Sequence, residues 1–358
     1  LKFVYLLPAL CLLAACQRGD TPSENERDAE AEATAGVQTK FAFEAGQGQL
    51  PALPVELEMM PVQVALERLG FSPGVIDGKN GGSLKIALRG FQAANDLNET
   101  GELDEETRAA LDRTPPLPAT RLVENPAAFA NQQFFPDLPR DAAQQAKLPA
   151  LGYRNLIEAL AERFHTTPET LVALNSPETL ISAGKTIIVP NVAEVMPPRA
   201  EDADRGWDQT LATLGVAPEQ PSVERIVVDK SGGWLRAYGA EDKLIAQFPV
   251  TTGSEKDPLP LGNWTIKGVA RNPDFHYNPE LFWDVSDSKE KQILKPGPNS
   301  PVGVVWIDLS KPHYGIHGTS EPATIGRAES HGCVRLTNWD AAKLAGMVKP
   351  GVKVEFIA

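Results

Sequence analysis

The chain has 358 residues and a formal net charge of −13, from 34 Lys plus Arg against 47 Asp plus Glu. That length exceeds one ordinary hydrophobic core and predicts two or three domains. The acidity excludes a protein that wraps nucleic acid, because displacing counterions from phosphate requires clustered cations.

The first twenty residues, LKFVYLLPALCLLAACQRGD, hold one early lysine, an apolar run from Phe3 to Leu13, and small residues at Ala14 and Ala15. The run is shorter than the ~20 apolar residues that cross a bilayer, so residues 1–15 read as a secretory signal. Leu13-Ala14-Ala15-Cys16 is similar to the lipobox of bacterial lipoproteins. That likeness implies lipidation at Cys16, a membrane partner through that lipid, and a place on the periplasmic face of the cell envelope, at the outer membrane in a Gram-negative cell. Ordinary cleavage without lipid is the alternative. Of the three cysteines, Cys11 leaves with the signal and Cys16 is consumed by lipid. Cys333 then remains a thiol in an oxidising compartment, with no second cysteine for an internal disulfide.

Residues 16–57 are mostly polar and acidic, without apolar period over most of their length, and predict a disordered tether. Residues 58–112 predict three helices. Pro61 suits a first turn, Val62, Leu66 and Leu69 keep helical spacing, and Gly70 is placed to end the helix. Leu84, Leu88 and Phe91 mark a second helix, and Asp104 is placed to cap a third carrying Ala110 and Leu111. The landmarks Gly74, Asp77-Gly78, Phe91-Gln92, Leu97, Gly101, Leu103-Asp104 and Thr107 resemble the three-helix peptidoglycan-binding domain found beside wall enzymes. Leu84 stands where that family often has threonine. A helical spacer is the alternative.

Pro115-Pro116-Leu117-Pro118 opens a linker over 113–147 with extended backbone expected. In 148–192, Leu156, Leu160 and Phe164 share one helix face, Thr167-Pro168 starts a second helix through Leu171 and Leu174, and 185–189 reads as a strand. This pattern is similar to a LysM carbohydrate-binding domain, a β-α-α-β unit, although Arg154-Asn155 replaces the usual glycine-aspartate entry. His165 reads as an ordinary turn residue. A second linker, 193–221, leads to 222–358, where short β-branched runs punctuated by Gly and Pro predict a mainly β domain, a sandwich or barrel, with a helix near 339–348. The whole reads as a multidomain α+β protein.

Three of the five histidines, His313, His317 and His331, precede Cys333 closely. A thiol attacks only as thiolate, and its ordinary pKa of ~8.5 makes a nearby imidazole valuable. His317 lies in Tyr314-Gly315-Ile316-His317-Gly318-Thr319, where glycines allow close approach, and is the better base. His331 is too near Cys333 to pair unless the turn folds back. Gly332 lets successive amides converge on an oxyanion, an arrangement worth ~3 kcal/mol per donor. Arg335 offers a fixed cation for a substrate carboxylate or for a structural ion pair.

His317-Gly318-Thr319, then Ser330-His331-Gly332-Cys333-Val334-Arg335-Leu336, with Thr252-Gly253, Pro260-Leu261-Gly262 and the 296–303 segment, resembles the L,D-transpeptidase catalytic domain of the YkuD type. The resemblance implies that Cys333 is the nucleophile and His317 the base, oriented by the Gly318 carbonyl. It implies an oxyanion hole from the His331, Gly332 and Cys333 amides, with Ser330, Arg335 and Tyr314 shaping the substrate pocket. The implied partner is peptidoglycan. Acylation by a tetrapeptide stem releases D-Ala, and an amine acceptor then completes a 3→3 cross-link, with no cofactor or metal. Hydrolysis of the same thioester, and a non-catalytic wall-binding role, are the alternatives.

Two rival chemistries have weaker sequence support. His313 and His317 have metal-ligand spacing, but Pro312, Gly315 and Gly318 interrupt any helix that would carry them. Ser286-Asp287-Ser288-Lys289 satisfies the serine acyltransferase tetrapeptide without its partner motifs, and reads as a polar loop.

Overall fold

The computed structural model describes residues 42–180, 182–192, 204–281, 289–327 and 332–358. Cys16 and the expected signal lie outside these residues, as do Ser330, His331 and Ser286.

The first unit is helical. Helix α1 (Met60–Arg68) has Pro61 in its first turn and buries Val64 and Leu66, and Gly70 follows it at φ +91°. Helix α2 (Gly82–Ala94) sinks Leu84, Leu88 and Phe91, whose spacing places them on one face. Phe71 meets Phe91 edge-on at 5.8 Å. The Asp104 side chain caps α3 (Glu105–Leu111) by accepting the Thr107 amide at 2.9 Å.

Three expectations about connecting segments need correction. Residues 42–57, expected within the tether, are mostly exposed but are pinned to the second unit through Phe43, Leu53 and Leu57. Phe43 meets Phe129 and Phe164 edge-on at 4.9 and 5.0 Å, an aromatic anchor hidden in an acidic stretch. Residues 113–147, expected as an extended linker, carry strand β1 (Thr120–Glu124) and one-turn helices at Ala127–Ala130 and Ala142–Gln145. Strand β1 pairs antiparallel with β2 (Thr186–Pro190), Val123 opposite Ile187. Between them run α4 (Leu156–Arg163), capped by Asn155, and α5 (Pro168–Leu174), capped by Thr167. The first strand of this second unit therefore comes from upstream of residue 148. Two of its five residues, Arg121 and Glu124, are charged, so tertiary pairing decided it rather than local pattern. The second linker, 193–221, contains α6 (Trp207–Leu214), whose Trp207, Leu211 and Leu214 enter the core of the third unit.

That third unit is mainly β. Strands β3 (Arg225–Asp229), β4 (Trp234–Tyr238), β5 (Leu244–Pro249), β6 (Gly262–Arg271), β9 (Val305–Leu309), β10 (Gly315–His317), β11 (Val334–Arg335) and β12 (Lys353–Ile357) form one sheet in the order β11-β10-β9-β6-β12-β3-β4-β5. A separate pair joins β7 (Phe275–Tyr277) to β8 (Gln292–Leu294). The eight strands are hydrogen-bonded into one mixed sheet, whose registers shift at Ile266/Gly268 and Ala237/Tyr238. Helix α7 (Asn338–Met347) packs on it with Trp339 wholly buried.

The three units lock together. Strand β5 would be an open edge, but the first unit covers it. The Ser72 amide donates to the Gln247 carbonyl at 2.9 Å, and the Gln247 amide donates to the Gly70 carbonyl at 3.0 Å. The Gln247 side chain crosses Gly90 of α2, where an added Cβ would lie 2.5 Å from it. At the centre, Glu67 of α1 contacts His165 Nδ1 at 2.6 Å and pairs with Lys343 of α7. The His165 ring stacks on Trp339 at 5.1 Å. His165 does occupy a turn, at φ +54°, and it also joins all three units. Burial favours a neutral Glu67 carboxyl, but Lys343 and His165 beside it overcome this and hold it at about 2.

Candidate active site

The cysteine lies at the end of the sheet where β10 and β11 run parallel, Ile316 opposite Val334 and His317 opposite Arg335. The same register sets Cys333 beside Gly315. Because side chains alternate along strands, Cys333, Arg335 and His317 emerge on one face. The Gly315 backbone hydrogen-bonds the sulfur, and the thiol approaches the His313 carbonyl at 3.9 Å. Cys333 is half-buried and in no disulfide among the described residues. Burial pushes its thiol above the ordinary value, against the pull of the Gly315 contact and the Arg335 cation.

His317 is buried, with Nδ1 2.7 Å from the Gly318 carbonyl. A carbonyl only accepts, so Nδ1 carries the proton and Nε2 is the basic nitrogen. Burial and then the Arg335 charge lower the imidazole to about 4, against the opposing effect of the Gly318 bond. At neutral pH the resting pair is therefore thiol and neutral imidazole.

Trp306 on β9 stands opposite His317 and stacks on it at 5.5 Å. Gly315 makes room for that indole, since an added Cβ would sit 2.6 Å from the Trp306 ring. On the other side of the cysteine, Gly332 takes φ +97°, and a Cβ there would lie 2.9 Å from the Tyr314 ring. Glycine is thus required twice, once for a flat stack and once for a left-handed turn under a ring.

These groups share a cavity of about 620 Å³ lined by Cys333, His317, Arg335, Tyr314, Trp306, His313, Lys311, Asp257 and the β7 residues Phe275 and His276, among others. One Asp257 carboxylate oxygen is buried there without a hydrogen-bond partner. The cavity accordingly places a cation and a carboxylate in the same space as one thiol. Sequence reading named Cys333, His317, Gly318, Gly332, Arg335 and Tyr314, and the structure brings all six together. It missed Trp306 and Asp257, whose positions depend on strand pairing and a loop. The alternation in Val305-Trp306-Ile307-Asp308-Leu309 marked a strand, but only its register against β10 gives the indole a role. His313 and His317 share no helix face: His313 is in a turn at φ +66° and His317 ends a strand.

Residues 223–356 match the L,D-transpeptidase catalytic domain family, and residues 58–111 match the putative peptidoglycan binding domain family. The chain is 30% identical over 200 residues to a putative L,D-transpeptidase YkuD of Bacillus licheniformis, covering 55% of this chain and 91% of the relative. The chain belongs to the L,D-transpeptidase family. The putative L,D-transpeptidase YkuD of Bacillus subtilis is 53% identical over 146 residues, covering 41% of this chain and 73% of that relative. The NMR structure of the catalytic domain from the Enterococcus faecium L,D-transpeptidase is 19% identical, covers 37% of this chain and 96% of that one, and superposes with a TM-score of 0.29. This L,D-transpeptidase thus pairs a mainly β catalytic domain with a peptidoglycan-binding domain docked against its edge strand.

Proposed function

We propose that this L,D-transpeptidase works through a thioester on Cys333, made from a peptidoglycan tetrapeptide stem and resolved by an amine to give a 3→3 cross-link. The observation that supports it is the parallel register of β10 and β11, which puts Cys333 and His317 on one face of one cavity. His317 Nε2 takes the thiol proton, and Cys333 attacks the carbonyl of the third stem residue. The C–N bond to the terminal D-Ala breaks, and the proton on His317 goes to the departing amine. A second amine then attacks the thioester, gives its proton to His317, and expels the thiolate. The Gly332 and Cys333 amides, with that of His331 outside the described residues, receive the oxyanion. Ser330, also outside them, and Tyr314 shape the pocket, and Arg335 holds a substrate carboxylate.

The two accessory units would hold the enzyme on its polymer, the first by its peptidoglycan-binding fold and the second by a LysM-like fold gripping glycan. A lipid on Cys16 would hold the whole chain at the envelope membrane. Palmitate labelling of the native protein and of Cys16→Ala tests the anchor, since label retained in the variant removes it. Incubation with disaccharide-tetrapeptide, followed by mass analysis, tests the reaction. Dimeric muropeptide and free D-Ala are expected, whereas tripeptide alone would make water the acceptor and the enzyme a carboxypeptidase. Intact mass after a carbapenem should show an adduct on the native chain and none on Cys333→Ala.

A further inference from the structure

Glu162, on α4 of the second unit, is buried and has no part in the chemistry above, yet it reaches the catalytic domain. Its carboxyl meets the Asn338 side-chain amide, with Nδ2 at 2.9 Å from one oxygen and 3.2 Å from the other. Tyr153 donates its hydroxyl to the same carboxyl at 3.0 Å. Asn338 is wholly buried at the start of α7. Its Nδ2 also donates to the Pro298 carbonyl at 3.1 Å, and its Oδ1 accepts the Val304 amide at 3.3 Å. That Oδ1 presses on Gly303 and Gly318 so closely that a Cβ on either would lie 2.0 or 2.3 Å away. Gly318 supplies the carbonyl that holds His317 Nδ1.

We propose that Glu162 is a positioning residue for His317, acting through Asn338 and the Gly318 peptide. An amide side chain has two nearly isosteric orientations, and only one puts Oδ1 toward the Val304 N–H. The Glu162 carboxyl oxygens and the Pro298 carbonyl present acceptors to Nδ2 and together hold that orientation. The flipped amide would set NH₂ against the Val304 N–H and against the glycines, pushing the Gly318 peptide and its carbonyl off the imidazole. The second unit is in this way part of the catalytic centre as well as a neighbour of it. The same stretch of chain also grips the loop bordering the cavity: the Leu151 amide donates to the Pro296 carbonyl at 3.0 Å, and the Asn299 amide donates to the Leu151 carbonyl at 2.9 Å.

This proposal rests on the reading of His317 as base to Cys333, and the test separates the two. Carbapenem acylation of the full chain is followed by intact mass, giving a limiting rate and a half-saturation concentration. Glu162→Ala is expected to lower the limiting rate by about tenfold to a hundredfold with unchanged half-saturation, the scale of a small misplacement of a catalytic group. Glu162→Gln, which keeps an acceptor for Nδ2, should restore the rate to within about twofold. In a His317→Ala background Glu162→Ala should cost nothing further, because its effect runs through the missing imidazole. An equal loss in that background, a rise in half-saturation alone, or failure of Glu162→Gln to restore would each overturn it. Should Glu162→Ala not fold, Tyr153→Phe takes its place, with about a threefold loss expected on the native background and none on His317→Ala. No loss there would overturn the proposal too. Native protein that takes no adduct, or His317→Ala acylated as fast as native, removes the Cys333–His317 pair itself and this proposal with it.

Discussion

Cys333 and His317 rest as a neutral pair, which gives the site a defined response to pH. Burial raises the thiol and lowers the imidazole to about 4, so between these limits neither group carries charge. Alkylation of Cys333 by iodoacetamide should therefore follow a single rise with pH whose midpoint lies above the ordinary thiol range. A midpoint well below neutrality would mean a preformed thiolate-imidazolium pair instead. The same shift affects stability. The folded imidazole is depressed below its ordinary 6.5, so its contribution is present above that value and lost as pH falls through 6.5 toward about 4. In His317→Ala that part of the acid loss should disappear from melting curves recorded across the window. Gly332→Ala is expected to cost about 1–3 kcal/mol, from φ +97° and the Tyr314 ring together, and to slow acylation. Thermal melts and adduct formation measure the two effects separately. Both residues of the pair were legible in the sequence, because a thiol and a histidine flanked by glycines carry chemistry in their identity. Trp306 and Asp257 were not, because an indole or a carboxylate acquires its role here only from what a neighbouring strand or loop brings beside it.

At the scale of elements, the docking of α2 on β5 is the junction most exposed to test. Gln247 ties the Ser72 and Gly70 backbone to the strand, and its side chain also accepts from Arg236 at 2.7 Å. Gly90→Ala should destabilise the protein by about 1–3 kcal/mol, because its Cβ would lie 2.5 Å from a buried, hydrogen-bonded amide. Denaturant titration checks this, and an unchanged midpoint would mean that the helix shifts without cost. Helices in the first two units were readable from apolar spacing and from Asp104 and Thr167, which each accept a backbone amide in their first turns, as Asn155 also does in the structure. Strand β1 and helix α6 were not, since both lie in stretches rich in proline or charge whose partners are distant in sequence.

Over the whole molecule, the ionic cluster of Glu67, His165, Lys343 and Asp340 joins three units that composition would separate. Lys343 faces both Glu67 and Asp340, and Ser72 donates to Asp340 at 2.7 Å. Burial raises the Asp340 carboxyl to about 6 against the pull of Lys343, while Glu67 falls to about 2. Lys343→Met removes the cation both carboxyls share and should cost about 3–5 kcal/mol, the scale of breaking a buried pair by losing one partner. Differential scanning calorimetry should show one unfolding transition in the native chain, at a lower temperature in the variant. Separate transitions for the units would contradict this coupling. By itself the sequence singled out Cys333 and His317 as candidates, the helical face pattern and the mainly β character of the last domain, because residue chemistry and apolar period are local properties. The tertiary structure alone decided that the accessory units are bound into the catalytic domain. Glu162 meets Asn338, and Glu67 meets Lys343, across 176 and 276 positions of chain. No local pattern encodes the burial that gives those polar groups their partners.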